Sequence, residues 1–419
     1  MSDPKSNYMR EIYMGGLQGQ LPQTTSYEVL ESLAKSKIPL EAYNYVAGSA
    51  STGSTCQSNL DAFKRWQIVP NMLNGVTLTE FDSRVTILGK EYPSPLVIAP
   101  IGVQAQLHPE ADLATSRAAC EIGVPFTLSS ATSTPLETVA EQGGFEEGEQ
   151  GSDKWFQLYW PQDDELTESL LKRAKKAGYR VLVVTLDTWT LGWRPRDLDR
   201  AYNPFLKGEG VANIFTDPVF VEKYCDGKSP LRKEATPDEI LSASATAISQ
   251  LSPGISRTWT ELNLLRRLWG EDSPIVLKGI QSTSDAVKAL EFGVEGIWIS
   301  NHGGRQVDGA VPSLVQLSNL SSLIRSHPLK PGKKVRPSIL FDSGVRSGSD
   351  VFKALCLGAD AVAIGRPYAW GLANNGQAGV LDVLKTILAD FEINASLAGC
   401  SGLKDLGPHL LIRNDAARL

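Results

Sequence analysis

Cysteine is scarce in this 419-residue chain. There are five, Cys56, Cys120, Cys225, Cys356 and Cys400, widely spaced and never in a C-x-x-C pair. That excludes a disulfide framework and a cysteine-based zinc site, and it suits a reducing compartment. Long apolar runs are missing as well. The longest, Pro95 to Val103, is interrupted by proline and falls far short of the roughly 18 residues that span a bilayer. Met1 to Arg10 is polar and has no signal-peptide core. Nor is there an excess of positive charge: 41 Lys and Arg stand against 47 Asp and Glu, a net charge of −6. No nucleic acid and no anionic membrane is expected as a partner. Histidine is rarer still, with only His108, His302, His327 and His409, so any imidazole chemistry has four candidates.

What is present has the composition of a folded globular chain, 42% hydrophobic and 21% charged, which excludes wholly disordered, collagen-like and coiled-coil architectures. Eight short apolar runs recur: Leu96–Gly102, Pro125–Ser130, Trp155–Trp160, Val181–Thr188, Ile275–Ile280, Gly296–His302, Ser338–Val345 and Ala361–Pro367. They are rich in β-branched residues and do not alternate with polar ones, as expected of strands buried on both faces. Helical patterns lie between them. Thr167–Ala177 precedes Gly178, Ser282–Phe292 precedes Gly293, and Ser347–Leu357 precedes Gly358, each glycine a fitting C-cap. The alternation predicts an α/β fold, a (β/α)8 TIM barrel.

Two stretches fall outside the repeat. Residues 1–95, with helical patterns near Ser26–Ser36 and Tyr43–Ser51, read as an N-terminal helical cap on a barrel spanning 96–419. Residues 189–270, after the fourth run, read as a long lid, with Thr236–Leu251 helical. The acidic stretch Glu141–Asp153 reads as a solvated loop. Length alone suggests two or three domains, but no second core is visible, so a single decorated domain is expected.

In such a barrel, chemistry gathers at the C-terminal ends of the strands, and here those ends are crowded with polar residues. They include Gln157 and Tyr159, Thr185 and Asp187, Lys278, the run Ser300-Asn301-His302-Gly303-Gly304-Arg305, the run Asp342-Ser343-Gly344-Val345-Arg346, and Gly365-Arg366. Burying so many polar groups together is costly unless they meet a polar ligand. Gly344, Gly365, Arg346 and Arg366 resemble a phosphate cradle after the last two strands; the other reading is an internal Asp342–Arg346 pair. Asp187 beside His302 would stabilise an imidazolium, and Arg305 could hold a carboxylate bidentately.

The segments S-N-H-G-G-R-Q, F-D-S-G-V-R-S-G-S-D-V-F-K-A-L and I-G-R-P resemble the FMN-dependent α-hydroxy-acid oxidase and dehydrogenase family. The likeness runs from about Tyr43 to the C-terminus. W-R-P-R-D-L and T-D-P-V-F, at Trp193–Leu198 and Thr216–Phe220, are most similar to its lactate 2-monooxygenase branch. The resemblance implies FMN as cofactor, with no metal, and oxidation of an L-2-hydroxy acid to a 2-oxo acid. It further implies oxygen as the acceptor, reduced to hydrogen peroxide. Caged, monooxygenase-type decarboxylation and a dehydrogenase with another acceptor are the alternatives. It also implies a homo-oligomer, commonly a tetramer.

Position by position, His302 corresponds to the catalytic base and Asp187 to its carboxylate partner. Arg305 and Arg194 correspond to the substrate-carboxylate arginines, and Tyr45 and Tyr159 to tyrosines that bind substrate. Lys278 corresponds to the lysine beside the flavin. FMN contacts are implied at Pro100, Ile101, Gly102, Ser129, Gln157, Thr185 and Ser300, with Asp342, Gly344, Arg346, Gly365 and Arg366 at the ribityl-phosphate end.

Two positions depart from the family pattern. Where relatives usually carry an acid shortly after the Tyr45 motif, this chain reads Ser49-Ala50-Ser51-Thr52. At Ala131, relatives often carry a large side chain in the substrate pocket, so a substrate bulkier than glycolate is expected. The ending Ala417-Arg418-Leu419 resembles a peroxisomal address. A non-oxidative FMN or phosphate-binding barrel would have no use for His302, Arg305, Arg194 and two tyrosines together. A pseudoenzyme would have no need of an intact Lys278, Asp187, His302 and Arg305.

Overall fold

In the computed structural model, residues 4–145, 152–333 and 335–414 are described. Eight parallel strands close into a barrel: β1 (Leu96–Ile98), β2 (Phe126–Leu128), β3 (Lys154–Leu158), β4 (Val181–Thr185), β5 (Ile275–Ile280), β6 (Gly296–Ile299), β7 (Ser338–Phe341) and β8 (Ala361–Ile364). Each coincides with one of the eight apolar runs. Closure is by β8 on β1, with Val362 opposite Leu96 and Ile364 opposite Ile98.

The absence of alternation has a direct cause. Along β4, Val181 and Val183 point into the barrel and pack with Val97, Trp155, Val276, Trp298 and Leu340. Leu182 and Val184 point outward and join the layer shared with the helices. Both faces are dry, so both carry apolar residues. The outer layer includes helices Asp164–Lys176, Thr283–Phe292 and Gly348–Cys356, and Gly178, Gly293 and Gly358 take positive φ just beyond their ends. Ser282 and Ser347 cap two of these helices through their side chains.

The N-terminal segment does two jobs. Helices Tyr27–Lys37, Leu40–Ala47 and Ser54–Lys64 lie over the C-terminal, chemical side. The hairpin of Val85–Ile87 and Lys90–Tyr92 plugs the opposite mouth, with Ile87, Leu88 and Tyr92 buried against the barrel interior. Trp66–Ile68 pairs antiparallel with Leu411–Arg413, fastening the cap to the far end of the chain. Residues 189–270 are helical in large part, with Pro237–Leu251 opened by a capping box between Thr236 and Glu239. The last helix of the stretch, Leu262–Trp269, packs against Asp164–Lys176 in the outer layer.

One expectation needs correction. The Glu141–Asp153 stretch is not simply a solvated loop. Helix Leu136–Gln142 runs into its first residues, and residues 146–151 lie outside the described ones. Asp153, at the foot of β3, is buried. It accepts hydrogen bonds from Lys90 Nζ at 2.9 Å, from the Tyr92 hydroxyl at 2.5 Å and from Arg180 Nε. Burial favours its protonated form, but Arg180, Tyr92 and Lys90 outweigh that and hold the carboxyl below its ordinary value. The acid thus ties the plug to β3 and to the residue before β4.

Removing one partner of a buried ionic cluster leaves the others uncompensated, which costs about 3–5 kcal/mol. Asp153→Ala is therefore expected to lower the unfolding free energy by that order, read as a lower midpoint of chemical denaturation. An unchanged midpoint would show that the plug is not held this way.

Candidate active site

The polar strand ends converge on one cavity at the C-terminal mouth, with about 1240 Å³ of empty space including its opening. Of the residues singled out from sequence, Tyr45, Pro100, Ile101, Gly102, Ala131, Tyr159, Arg194, Lys278, His302, Arg305, Asp342, Gly344, Arg346, Gly365 and Arg366 line it. Ser129, Gln157, Thr185 and Ser300 do not. They lie at the ends of β2, β3, β4 and β6, bonded among themselves and to their neighbours. Gln157 Oε1 accepts from Ser129 Oγ at 3.2 Å, and its amide donates to Thr185 Oγ1 at 3.0 Å. Asp187 does not line the cavity either, and reaches it through His302 and Thr188.

His302 follows β6 with φ +59°, and Gly303 and Gly304 continue at +64° and +76°. Three left-handed residues in a row turn the chain sharply, a strain typical of functional sites. Gly304 is needed for another reason: a Cβ there would sit 2.5 Å from the Cys56 backbone nitrogen. Gly304 therefore lets the cap helix Ser54–Lys64 approach, and Gly303 leaves room for the Arg366 guanidinium, rather than serving only to expose the histidine.

His302 Nδ1 lies 2.9 Å from Asp187 Oδ1 and 3.1 Å from Thr188 Oγ1, which itself donates to Asp187 Oδ1 at 2.8 Å. Burial raises the Asp187 carboxyl, but His302 and Lys278 overcome this and hold it well below the usual range. An ionised Asp187 makes Nδ1 the protonated nitrogen and leaves Nε2 free to accept a proton. Burial lowers the His302 imidazole; Asp187 opposes the shift, and Lys278 and Arg194 add to it. The ring is thus a neutral base near pH 7. Burial keeps the Tyr159 hydroxyl protonated, with Tyr45 and Asp187 reinforcing the effect.

The arginines around this base bond mainly to backbone oxygens. Arg305 Nη1 donates to the Gly48 carbonyl at 2.9 Å and its guanidinium lies over the Tyr45 ring. Arg366 donates to Val46, Gly48 and Gly303 carbonyls. Arg194 bonds the Arg305 carbonyl and Gln306 Oε1. Burial, with Arg194 close by, depresses Arg305 to about 9. Arg346 stacks on Tyr27, and its Nε has no hydrogen-bond partner among the described residues.

The Asp342–Arg346 pair is not what forms. Asp342 instead accepts from Ser300 Oγ at 2.6 Å and Ser343 Oγ at 2.7 Å, with Lys278 Nζ at 3.7 Å. Four arginines and a lysine thus meet few carboxylates. The orphaned Arg346 nitrogen and the open space at Gly365, where a Cβ would meet nothing closer than 3.6 Å, fit an anionic, phosphate-bearing group such as FMN.

Sequence reasoning misses several residues. Thr188 steadies the Asp187–His302 pair. Gln306 holds Arg194 and donates to the Asp187 and Thr190 carbonyls; it stands in view as the last letter of S-N-H-G-G-R-Q. Leu191, Phe205, Ile248, Leu251 and Ser252 line the cavity from the lid, with no motif to announce them. The position lacking an acid after Tyr45 is served from elsewhere: Asp308 accepts from the Thr52 amide at 3.0 Å and Ser54 Oγ at 2.8 Å.

The chain is similar to proteins of one known family. Residues 34–413 match the model of the FMN-dependent dehydrogenase family. An FMN-dependent alpha-hydroxy acid dehydrogenase of Schizosaccharomyces pombe is 41% identical over 416 residues, 98% of this chain and 97% of the relative. An L-lactate oxidase of Lysinibacillus sphaericus is 34% identical over 97% of each chain. Among solved structures, mandelate oxidase with (S)-4-hydroxymandelic acid superposes with a TM-score of 0.76 at 33% identity, covering 93% of this chain and 98% of that one.

Clustered cations with few counter-ions predict that anions stabilise the apoprotein by mass action. Phosphate should raise its melting temperature more than chloride at equal ionic strength, and Arg366→Ala should shrink the difference. Equal effects of the two salts would argue against an anion site.

Proposed function

The chain belongs to the FMN-dependent α-hydroxy-acid oxidase and dehydrogenase family and is an enzyme that oxidises 2-hydroxy acids; on that premise we propose that its substrate is an L-2-hydroxy acid with an apolar side chain bulkier than glycolate's, and that oxygen is the acceptor, giving the 2-oxo acid and hydrogen peroxide. The observation that carries this reading is the convergence of one neutral imidazole, its carboxylate partner and two arginines on a single cavity whose outer wall is apolar.

Bound FMN supplies the two-electron acceptor. Arg346, Arg366, Gly344 and Gly365 would hold its phosphate end, with Asp342 beside them. Lys278, buried in β5, would balance negative charge on the ring. Pro100 to Gly102, Ser129, Gln157, Thr185 and Ser300 would supply the remaining contacts.

The substrate carboxylate would lie against Arg305 and Arg194, a charge-assisted arrangement that fixes orientation. Tyr45 and Tyr159 would donate to its oxygens. His302 Nε2 would then take the Cα proton, or the hydroxyl proton where the α-hydrogen leaves as hydride, and Asp187 would stabilise the resulting imidazolium. On the side-chain side, Ala131 leaves room, and Leu191, Phe205, Ile248 and Leu251 exclude water. The terminal Ala417-Arg418-Leu419, outside the described residues, supports a peroxisomal address, a compartment suited to peroxide release. Assembly into a homo-oligomer rests on the family resemblance alone.

The yellow holoprotein should bleach anaerobically with lactate or longer L-2-hydroxy acids faster than with glycolate, and then release hydrogen peroxide in air. A glycolate preference refutes the bulky-substrate reading, and a decarboxylated acid without free peroxide favours caged chemistry. Ala131→Trp should shift preference toward the smaller acids.

His302→Ala should slow bleaching by about 10²–10⁴-fold, the usual worth of a general base. Because His302 must be neutral to accept a proton and its value is depressed, kcat/KM should hold through pH 7 and fall only as pH drops below about 6.5, the ordinary imidazole value. Loss of activity already at pH 7 would contradict this. Removing the last three residues should leave a tagged protein cytosolic.

A further inference from the structure

Beside the main cavity lies a second one, with which it shares Tyr45, Leu191, Arg194 and Phe205. Its remaining walls come from the 192–204 stretch and include Trp193, Leu198 and Tyr202. Trp193 is 69% exposed, so the space opens to solvent. One acid lines it: Asp197, only 9% exposed, whose Oδ1 is buried with no hydrogen-bond partner among the described residues.

The nearby cations do not answer this oxygen. Arg194 directs its Nε to the Arg305 carbonyl and its Nη2 to Gln306, and Arg305 Nη1 bonds backbone carbonyls of the cap; neither bonds Asp197 Oδ1. Asp197 is also not needed as a helix cap, since the short helix Pro195–Leu198 starts at Arg194, which makes no side-chain cap bond. A buried carboxylate oxygen without a donor is costly to keep.

From this geometry, and resting on the 2-hydroxy-acid reading above, we propose that the second cavity is a distal subsite for an aromatic side chain that carries a hydrogen-bond donor, received by Asp197. The ring suits the walls of Trp193, Tyr202, Phe205 and Leu198. The donor suits Asp197. A neutral donor, a phenol O–H or an indole N–H, is selected over an ammonium because Arg194 and Arg305 stand close by and repel a second cation. The carboxylate end of the same molecule remains at Arg305 and Arg194, and Leu191 and Phe205, common to both cavities, flank the connecting methylene. Selectivity of this kind is large in one direction only: a site built to receive a donor rejects the analogue that lacks it.

The test compares L-3-phenyllactate, L-3-(4-hydroxyphenyl)lactate and L-3-indolelactate as substrates of the holoenzyme. Wild type should prefer the two donor-bearing acids over phenyllactate by about tenfold or more in kcat/KM, as for a hydrogen bond to a charged acceptor. Asp197→Leu should abolish that preference while phenyllactate turnover stays within about threefold. Asp197→Asn, which keeps an acceptor, should retain part of it. Calorimetry of holoenzyme with phenylpyruvate and 4-hydroxyphenylpyruvate gives the same ratio as a binding constant, without turnover.

Absence of a preference in wild type overturns the subsite. So does an equal loss for all three acids in Asp197→Leu, which would make Asp197 only a counter-charge for Arg194 and Arg305. Bleaching by lactate without an aryl preference would sink the subsite and spare the oxidation of 2-hydroxy acids. No bleaching by any acid would sink that reading, and the calorimetric ratio would still decide the subsite.

Discussion

Two guanidinium groups share two carbonyl oxygens, and much of the site hangs on that knot. Arg305, after β6, and Arg366, after β8, both reach the Val46 and Gly48 carbonyls. These carbonyls lie just past Tyr45, at the end of cap helix Leu40–Ala47. The knot therefore carries the cap onto the barrel and sets Tyr45 under the Arg305 guanidinium at 5.2 Å. It does so with neutral acceptors. A carboxylate in the same place would also have held the cap, but it would have cancelled the charge. Carbonyl oxygens satisfy the donors geometrically and leave most of the positive charge available to an anion. Asp308, reaching from the same β6 loop to Thr52 and Ser54, secures the next few residues of the cap without approaching the arginines' bonds to Val46 and Gly48.

The same economy of counter-charge explains the base. Lys278 sits in the barrel with Ser300 at 3.2 Å and Asp342 at 3.7 Å, so its field reaches both Asp187 and His302. It favours the ionised acid and disfavours the ionised imidazole. Asp187 acts in the opposite sense on the histidine. The balance leaves a ring oriented by a fixed anion yet uncharged before it reacts, the state a proton acceptor needs. Either partner alone would do less: without Asp187 the tautomer would be unset, and without the surrounding cations and burial the ring would be protonated too readily.

The barrel is legible in the sequence because its strands are buried on both faces. Val181 to Val184 cannot alternate, since each faces a dry neighbour, and few folds besides a closed parallel barrel call for eight such runs. The gathering of Arg346 and Arg366 at one cavity is legible for a similar reason, since glycine close to arginine at consecutive strand ends has few uses. The lid's share of the cavity is not. Ile248 and Leu251 reach it from helix Pro237–Leu251, which packs on the Pro204–Lys207 turn that brings Phe205, and an aliphatic residue in an amphipathic helix looks the same over a cavity as over a core. Asp153 is misread from sequence because local composition outvotes it. Its partners are Lys90, Tyr92 and Arg180, up to 63 residues away, and no window around an acidic loop contains them.

That asymmetry divides the molecule by function. The groups proposed to touch the reacting atoms belong to strand ends, held by a closed hydrogen-bonded sheet, and they repeat the motifs that identify the family. The groups proposed to face the variable part of a substrate come mostly from residues 189–252, together with Ala131 on the loop after β2. These segments carry no strand and take part in no ladder, so they can change length and side-chain size without disturbing His302, Asp187 or Lys278. The chemistry could be read from motifs because the barrel constrains it to fixed positions. Side-chain selectivity has to be read from the cavity, because nothing in the barrel's construction constrains it.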